Sequence, residues 1–208
     1  MPIAREGWPF VFVLVALAAV LFVLRWPWVG GVFLALGLFT LFFFRDPERA
    51  VPADPHLVLS PADGRVVVAG PAPAGNPLGE GASQVSIFLS VFDVHVNRAP
   101  IGGRISHVEY NHGEFLPAFQ DKASLANEQN SVTIEGGGGS VLFKQIAGLI
   151  ARRIVFNKKE GDSVAAGERV GMIKFGSRVD MFLPRDVRLR VQKGDRVSAG
   201  VTPVGERP

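Results

Sequence analysis

Two apolar runs near the N-terminus constrain this chain more than any other feature. Residues 8–24 (WPFVFVLVALAAVLFVL) and 29–44 (VGGVFLALGLFTLFFF) carry no charge, and only Arg25-Trp26-Pro27-Trp28 separates them. Neither run has a polar face, so neither suits the surface of a soluble domain. Each is near the lower limit of about 17 residues for crossing a bilayer. Trp8, Trp26 and Trp28 stand at run ends, where aromatic side chains meet headgroups. The expected structure is a tight helical hairpin in the membrane, with residues 1–50 forming the anchor and its exit segment. Shallow insertion without full crossing is the geometric alternative. A signal peptide fits less well, because a second apolar run follows at once and no small-residue cleavage site is clear. Arg5 precedes the first run, Arg45 and Arg49 follow the second, and Arg25 alone lies between. The positive-inside tendency then places the following domain on the cytoplasmic side of the cell (inner) membrane.

Beyond Pro47 and Pro52, which stop helix propagation, the texture changes. From residue 57 short β-rich runs alternate with glycine turns: 57–59, 65–68, 85–91, 103–110, 131–134, 141–146, 150–156, 170–175 and 187–191. This spacing predicts a compact β-rich domain over 51–208. Residues 71–82 read as a loop, Gly136 to Gly139 as a flexible hairpin tip or loop, and 115–130 as a short helical or irregular segment. The 208 residues include no cysteine, which excludes disulfides, thiolate metal sites and a cysteine nucleophile. The four histidines lack ligand spacing, so no metal is expected. The net charge is +3 with a pI near 9.6. No basic stripe with interleaved aromatics occurs, so no nucleic-acid partner is expected.

Gly161-Asp162-Ser163-Val164-Ala165-Ala166-Gly167 recurs as Gly194-Asp195-Arg196-Val197-Ser198-Ala199-Gly200. Each copy reads as a glycine-bounded turn entering a short strand. The doubled pattern resembles the β-sandwich hybrid of lipoyl and biotinyl carriers. The expected fold is therefore mainly β, with lipoyl/biotinyl-like elements behind the helical hairpin.

The chemistry-bearing stretch is Ile173-Lys174-Phe175-Gly176-Ser177-Arg178-Val179-Asp180. Glycine lets groups approach its carbonyl closely. A following serine hydroxyl can attack that carbonyl and turn the amide into an ester, given a base. β-Elimination then leaves dehydroalanine, and loss of ammonia leaves a ketone at a new N-terminus. An isolated Gly-Ser pair is far more often a turn, so the surrounding motifs decide.

Those motifs are FFRDPER at 43–49, SPADGRV at 60–66, FDVHVNRAP at 92–100 and KFGSRVDMFLP at 174–184. With the apolar hairpin and the doubled turn, they resemble the phosphatidylserine decarboxylases of the short, bacterial and archaeal branch, over nearly the whole chain and in the family's order. The resemblance implies a proenzyme that cleaves itself between Gly176 and Ser177. It gives a β chain of 1–176 and an α chain of 177–208, whose first residue becomes a covalent pyruvoyl cofactor. It also implies decarboxylation of phosphatidylserine to phosphatidylethanolamine through a Schiff base with that group. Asp93 and His95 match the family's D-x-H pair. Residues two apart in an extended segment share a face, so both could serve one site, Asp93 in cleavage and His95 in proton transfer. Arg98 and Arg178 are candidates for the lipid phosphate or carboxylate, because guanidinium forks such groups. Asp63 reads as a turn residue, and Asn127 to Asn130 falls where the family has a polar segment near substrate.

There are departures. Phe175 and Arg178 flank the cleavage pair where the long branch has leucine and serine or threonine. Where that branch has a further histidine, this chain reads Phe119-Gln120-Asp121-Lys122. The family's triad therefore does not transfer whole. His95 is the first substitute for the missing base, before His107 or His112. A serine lipid with an archaeal ether backbone competes as substrate. A membrane-anchored lipoyl-like carrier or scaffold is the non-enzymatic rival, although Lys122 stands far from either G-D-x-V turn. The sequence leaves a homo-oligomer open.

Overall fold

The computed structural model describes residues 2–114, 126–137, 139–148, 153–174 and 177–208. It divides into two compact units that part between Glu48 and Arg49.

The first unit is helical. A 3-10 turn at Arg5–Gly7 leads into α1 (Trp8–Val23), and α2 is Pro27–Phe43. Each α-helix carries a proline in its first turn, where the missing N–H has no intrahelical partner to lose. Arg25 adopts φ 60° between them, the left-handed conformation that often ends a helix. The helices pack antiparallel. A Cβ at Gly30 would lie 3.2 Å from the Ala18 carbonyl, and one at Gly37 3.6 Å from the Val15 side chain. Most of the remaining apolar surface is open, up to 89% exposure at Trp28 and 82% at Val23. The continuous helical stretch Arg5–Val23 has mean hydropathy 2.2 and is long and apolar enough to cross a membrane.

The second unit is built of antiparallel strands. These are β1 (Leu57–Leu59), β2 (Gly64–Pro71), β3 (Ser83–Leu89), β4 (Val96–Arg98), β5 (Gly103–Asn111), β6 (Gln129–Gly136) and β7 (Gly139–Ala147). They continue with β8 (Ile154–Phe156), β9 (Ser163–Val164), β10 (Arg169–Ile173), β11 (Ser177–Leu183), β12 (Arg188–Leu189), β13 (Arg196–Val197) and β14 (Pro203–Glu206). An eight-stranded sheet runs β13-β2-β3-β11-β7-β6-β5-β9, and two three-stranded sheets run β1-β14-β12 and β4-β10-β8. Side chains from all three sheets, among them Val58, Ile87, Ile105, Phe143, Ile173, Val179 and Val204, form one apolar core. Gly136 pairs with Gly139, so the expected hairpin tip is there. Most of the segment expected to be helical or irregular over 115–130 lies outside the described residues.

The two G-D-x-V-x-A-G copies sit at opposite edges of the large sheet, and each clamps one of two related segments, SPADGRV (60–66) and APIGGRI (99–105). Gly194 N–H donates to the Val66 carbonyl and Gly161 N–H to the Ile105 carbonyl, both at 2.8 Å. Gly200 N–H reaches the Ser60 carbonyl and Gly167 N–H the Ala99 carbonyl, again at 2.8 Å. The carboxylates of Asp195 and Asp162 accept from the backbone N–H three residues earlier in each turn. The domain thus contains a duplicated hydrogen-bonded unit, of which the sequence echo shows only half.

Gly64 is where this unit is tightest. Its φ is +151°, and a Cβ there would lie 2.2 Å from the Phe88 carbonyl oxygen. Both strain and overlap with backbone oppose any side chain. Gly64→Ala is expected to cost about 2–3 kcal/mol, read as a lowered denaturation midpoint. A loss under about 0.5 kcal/mol, the scale of an ordinary surface change, would contradict the close approach.

Candidate active site

Strand β11 carries the candidate serine, Ser177. All seven of its residues are buried, and it lies between β3 and β7 in the large sheet. Alternation along a strand sends successive side chains to opposite faces. Val179, Met181 and Leu183 enter the apolar core, and Ser177 shares their parity. Arg178, Asp180 and Phe182 take the other face, where they line a cavity of about 510 Å3 with Gln84, Lys144 and residues of the 71–77 segment.

Ser177 is fully buried, and its Oγ has no hydrogen-bond partner among the described residues. A buried hydroxyl left so costs free energy without helping the fold. Ser177 lies opposite Ala147. Ala147 N–H donates to the Glu128 carbonyl at 2.9 Å, and its carbonyl accepts from Asn127 Nδ2 at 2.7 Å. Both peptide groups of Ala147 are thus engaged away from β11. Ser177 and Ala147 therefore form a non-hydrogen-bonded pair, the type in which facing side chains come closest. A methyl group at 147 leaves room beside the hydroxyl. Gly176, the expected carbonyl partner, and Phe175 lie outside the described residues.

His95 is the buried histidine. It shows no exposure, whereas the His107 and His112 side chains are 58% and 88% exposed. His107 pairs with Glu160 and His112 lies 4.0 Å from Glu128. The His95 Nδ1 lies 3.0 Å from the Asp93 backbone carbonyl. A carbonyl only accepts, so the proton sits on Nδ1 and the neutral ring has its lone pair on Nε2. The His95 carbonyl in turn accepts from Ile173 N–H at 3.3 Å. That bond fixes His95 against the strand leading into the Gly176-Ser177 segment.

Asp93 is placed differently from the expected shared face. It lies in a bend, not an extended strand. Its Oδ2 accepts from Ser90 N–H at 2.8 Å and Ser90 Oγ–H at 2.7 Å, and its Oδ1 lies 3.3 Å from Arg196. The carboxylate holds the turn before His95, and the backbone carbonyl of the same residue meets the imidazole.

Neither arginine is an open cation facing Ser177. Arg98 is buried and donates to the Gly167 carbonyl at 3.0 Å. Its Cδ would be 2.8 Å from a Cβ on Gly200, so it packs between the two repeated turns. Arg178 donates through Nε to Asp180 at 2.6 Å and through Nη2 to Ser86 Oγ at 3.0 Å, with both ion-pair partners almost fully buried. Asp63 accepts from Arg49 and from Ala199 N–H, each at 2.7 Å. Burial pushes its carboxyl up from the ordinary range, and the two donors oppose that shift.

The sequence gives little warning of a chain of buried side-chain amides beside β11. Asn130 Nδ2 donates to Gln145 Oε1 and Gln145 Nε2 donates to Asn97 Oδ1, both at 2.9 Å. Asn130 lies in the stretch where the family resemblance implies a polar segment near substrate, whereas Gln145 sits in a mostly apolar run with no local signal.

The model of the phosphatidylserine decarboxylase family matches residues 36–205. The phosphatidylserine decarboxylase proenzyme of Solibacter usitatus is 50% identical over 207 residues, covering 100% of this chain and 98% of that relative. The proteins of the same name from Symbiobacterium thermophilum and Geotalea uraniireducens are 47% and 45% identical, covering 99% and 100% of this chain and 96% and 97% of theirs.

Proposed function

The chain belongs to the phosphatidylserine decarboxylase family, and from that premise we propose a self-cleaving proenzyme whose mature form converts phosphatidylserine to phosphatidylethanolamine. The observation that carries the site assignment is the buried, unpartnered Ser177 hydroxyl at the head of the central strand. Ser177 Oγ attacks the Gly176 carbonyl, and the amide becomes an ester. His95 Nε2 takes the hydroxyl proton, as the tautomer set by the Asp93 carbonyl allows. Loss of the Cα proton of residue 177 expels the Gly176 carboxylate. The dehydroalanine left behind hydrolyses with release of ammonia, leaving a pyruvoyl group at the head of the α chain.

The residues fit such a group: its precursor is buried and lies between Ala147 on β7 and Leu89 on β3, both apolar and fully buried. When formed, the pyruvoyl group supplies the electron sink that loss of CO2 from an amino acid requires. His95 then remains as a buried imidazole for moving a proton. The α chain 177–208 stays without a covalent link, because β11 is central in the large sheet, β13 pairs with β2, and β14 pairs with β1.

The apolar helices α1 and α2 are read as a hairpin in the cell membrane, with the catalytic domain on the cytoplasmic side, so the lipid substrate need not leave the bilayer. The names of the bacterial relatives favour a phosphatidylserine substrate over its archaeal ether counterpart, and an enzyme over a carrier or scaffold. The doubled turns support the lipoyl-like hybrid reading of the fold.

An intact mass spectrum of protein purified from membranes tests this directly. Two chains split after Gly176, the smaller lighter than a serine-started 177–208 fragment by the conversion of serine to pyruvoyl, are the expected result. A single full-length mass, unchanged on incubation of a folded sample, would overturn it.

A further inference from the structure

We propose that Gln145 is a positioning residue for self-cleavage, acting as a cross-link that sets the His95 strand against the Ser177 strand. This rests on the assignment of Ser177 and His95 above.

Gln145 is on β7, two residues before Ala147, and therefore on the same face of the sheet as the residue opposite Ser177. It is a fully buried amide among Val141, Phe143 and Ala147. Its side chain leaves the large sheet and enters the three-stranded sheet β4-β10-β8. There Nε2 donates to Asn97 Oδ1 on β4 at 2.9 Å and lies 3.5 Å from the Val155 carbonyl on β8. A Cβ on Gly171 of β10 would come within 3.1 Å of the same nitrogen. Asn97 follows His95 by two residues and is itself fully buried.

The amides are aligned donor to acceptor. Asn130 Nδ2 donates to Gln145 Oε1, Gln145 Nε2 to Asn97 Oδ1, and Asn97 Nδ2 lies 3.4 Å from the Pro61 carbonyl. Both ends of the Gln145 amide are thus used, and its orientation is fixed by a donor on one side and an acceptor on the other. Ordinary core packing needs no such group. An apolar side chain of that volume would fill the same space without desolvating an amide. What the amide adds is direction. Apolar contacts allow small slides between sheets, whereas two opposed hydrogen bonds define one register of β4 on β7. Self-cleavage needs that register, because the hydroxyl is on β11 beside β7 and the imidazole immediately precedes β4. Misplacement by about 1 Å can cost about a hundredfold in rate.

The test follows conversion of the full-length proenzyme into two chains, in its membrane or in detergent, for Gln145→Leu, Gln145→Glu and Asn97→Asp. Gln145→Leu keeps the volume and removes the link, and is expected to slow cleavage by about tenfold or more. Asn97→Asp keeps an acceptor for Gln145 Nε2 and is expected to cleave faster than Gln145→Leu. Gln145→Glu can donate to Asn97 only when protonated, so its rate relative to the parent chain should rise as pH falls. Ile134→Ala, a cavity in β6 with no part in the link, serves as the control for lost stability. The proposal is overturned if Gln145→Leu cleaves at the parent rate. It is equally overturned if Ile134→Ala at a matched loss of Tm slows cleavage as much, or if the Gln145→Glu ratio is flat with pH. Should Gln145→Leu fail to fold, the pH dependence of Gln145→Glu decides. If the parent chain does not split after Gly176, the Ser177 assignment itself fails. If the parent splits and only these variants disagree, the Gln145 role alone fails.

Discussion

Ser177→Ala leaves the chain uncut and without decarboxylase activity, while its stability stays at or above that of the parent. The first half follows from chemistry. Without Oγ there is no attack on the Gly176 carbonyl and no precursor of the ketone, so both chain splitting and CO2 release fall below detection. The second half follows from the structure. The Ser177 Oγ is buried with no partner among the described residues, so removing it deletes a desolvated polar group and breaks no hydrogen bond recorded there. Removing an unpaired buried polar group is near neutral or stabilising. A structural serine would behave in the opposite way, losing about 1 kcal/mol with its hydrogen bond while changing nothing in the chemistry. Gel analysis for one chain or two, with a melting curve on the same sample, reads both halves. Two chains from Ser177→Ala would refute the assigned nucleophile.

Asp180→Ala is the second large effect, and it acts on folding. Arg178 and Asp180 are joined at 2.6 Å, with side-chain exposures of only 3% and 1%. Deleting the carboxylate takes the 2.6 Å ion-pair partner from a buried guanidinium, which keeps its bond to Ser86 Oγ. Breaking such a pair from one side typically costs about 3–5 kcal/mol, a large share of a domain's stability. The expected outcome is poor recovery of folded protein or a strongly lowered Tm. Replacing both residues with apolar groups, Arg178→Met with Asp180→Leu, should recover most of that loss, since the expense comes from breaking a buried pair on one side only. An Asp180→Ala variant within about 1 kcal/mol of the parent, as an exposed pair would give, would contradict this burial.

The same pair explains why the site strand was hard to see in the sequence. Seven buried residues would ordinarily read as a continuous apolar run, yet β11 contains arginine and aspartate, and the β-rich runs identified from sequence omit it. Two charges that cancel across one face are invisible to a residue-by-residue hydropathy reading. For the same reason Arg178 looked like a cation for a lipid phosphate. The placement of Asp93 is likewise not written in its spacing. Its spacing from His95 suggested a shared strand face, but the Ser90 turn takes the carboxylate and leaves the imidazole the backbone carbonyl. The amides of Asn97 and Gln145 are far apart in sequence, and no local pattern could pair them.

By itself, the sequence determined the apolar helices, the β-rich texture of residues 51–208, the doubled glycine turn and the Gly176-Ser177 stretch. Each of these is a local signal, written in hydropathy period, turn residues or a contiguous motif. Tertiary structure alone decided which histidine is buried, that the arginines are tied, that the repeated turns clamp two related strands, and that an amide chain crosses between sheets. Those facts depend on which strands become neighbours. Pairing is fixed by burial of one common core and by satisfaction of every polar group trapped in it, a condition on the whole chain that no single stretch contains.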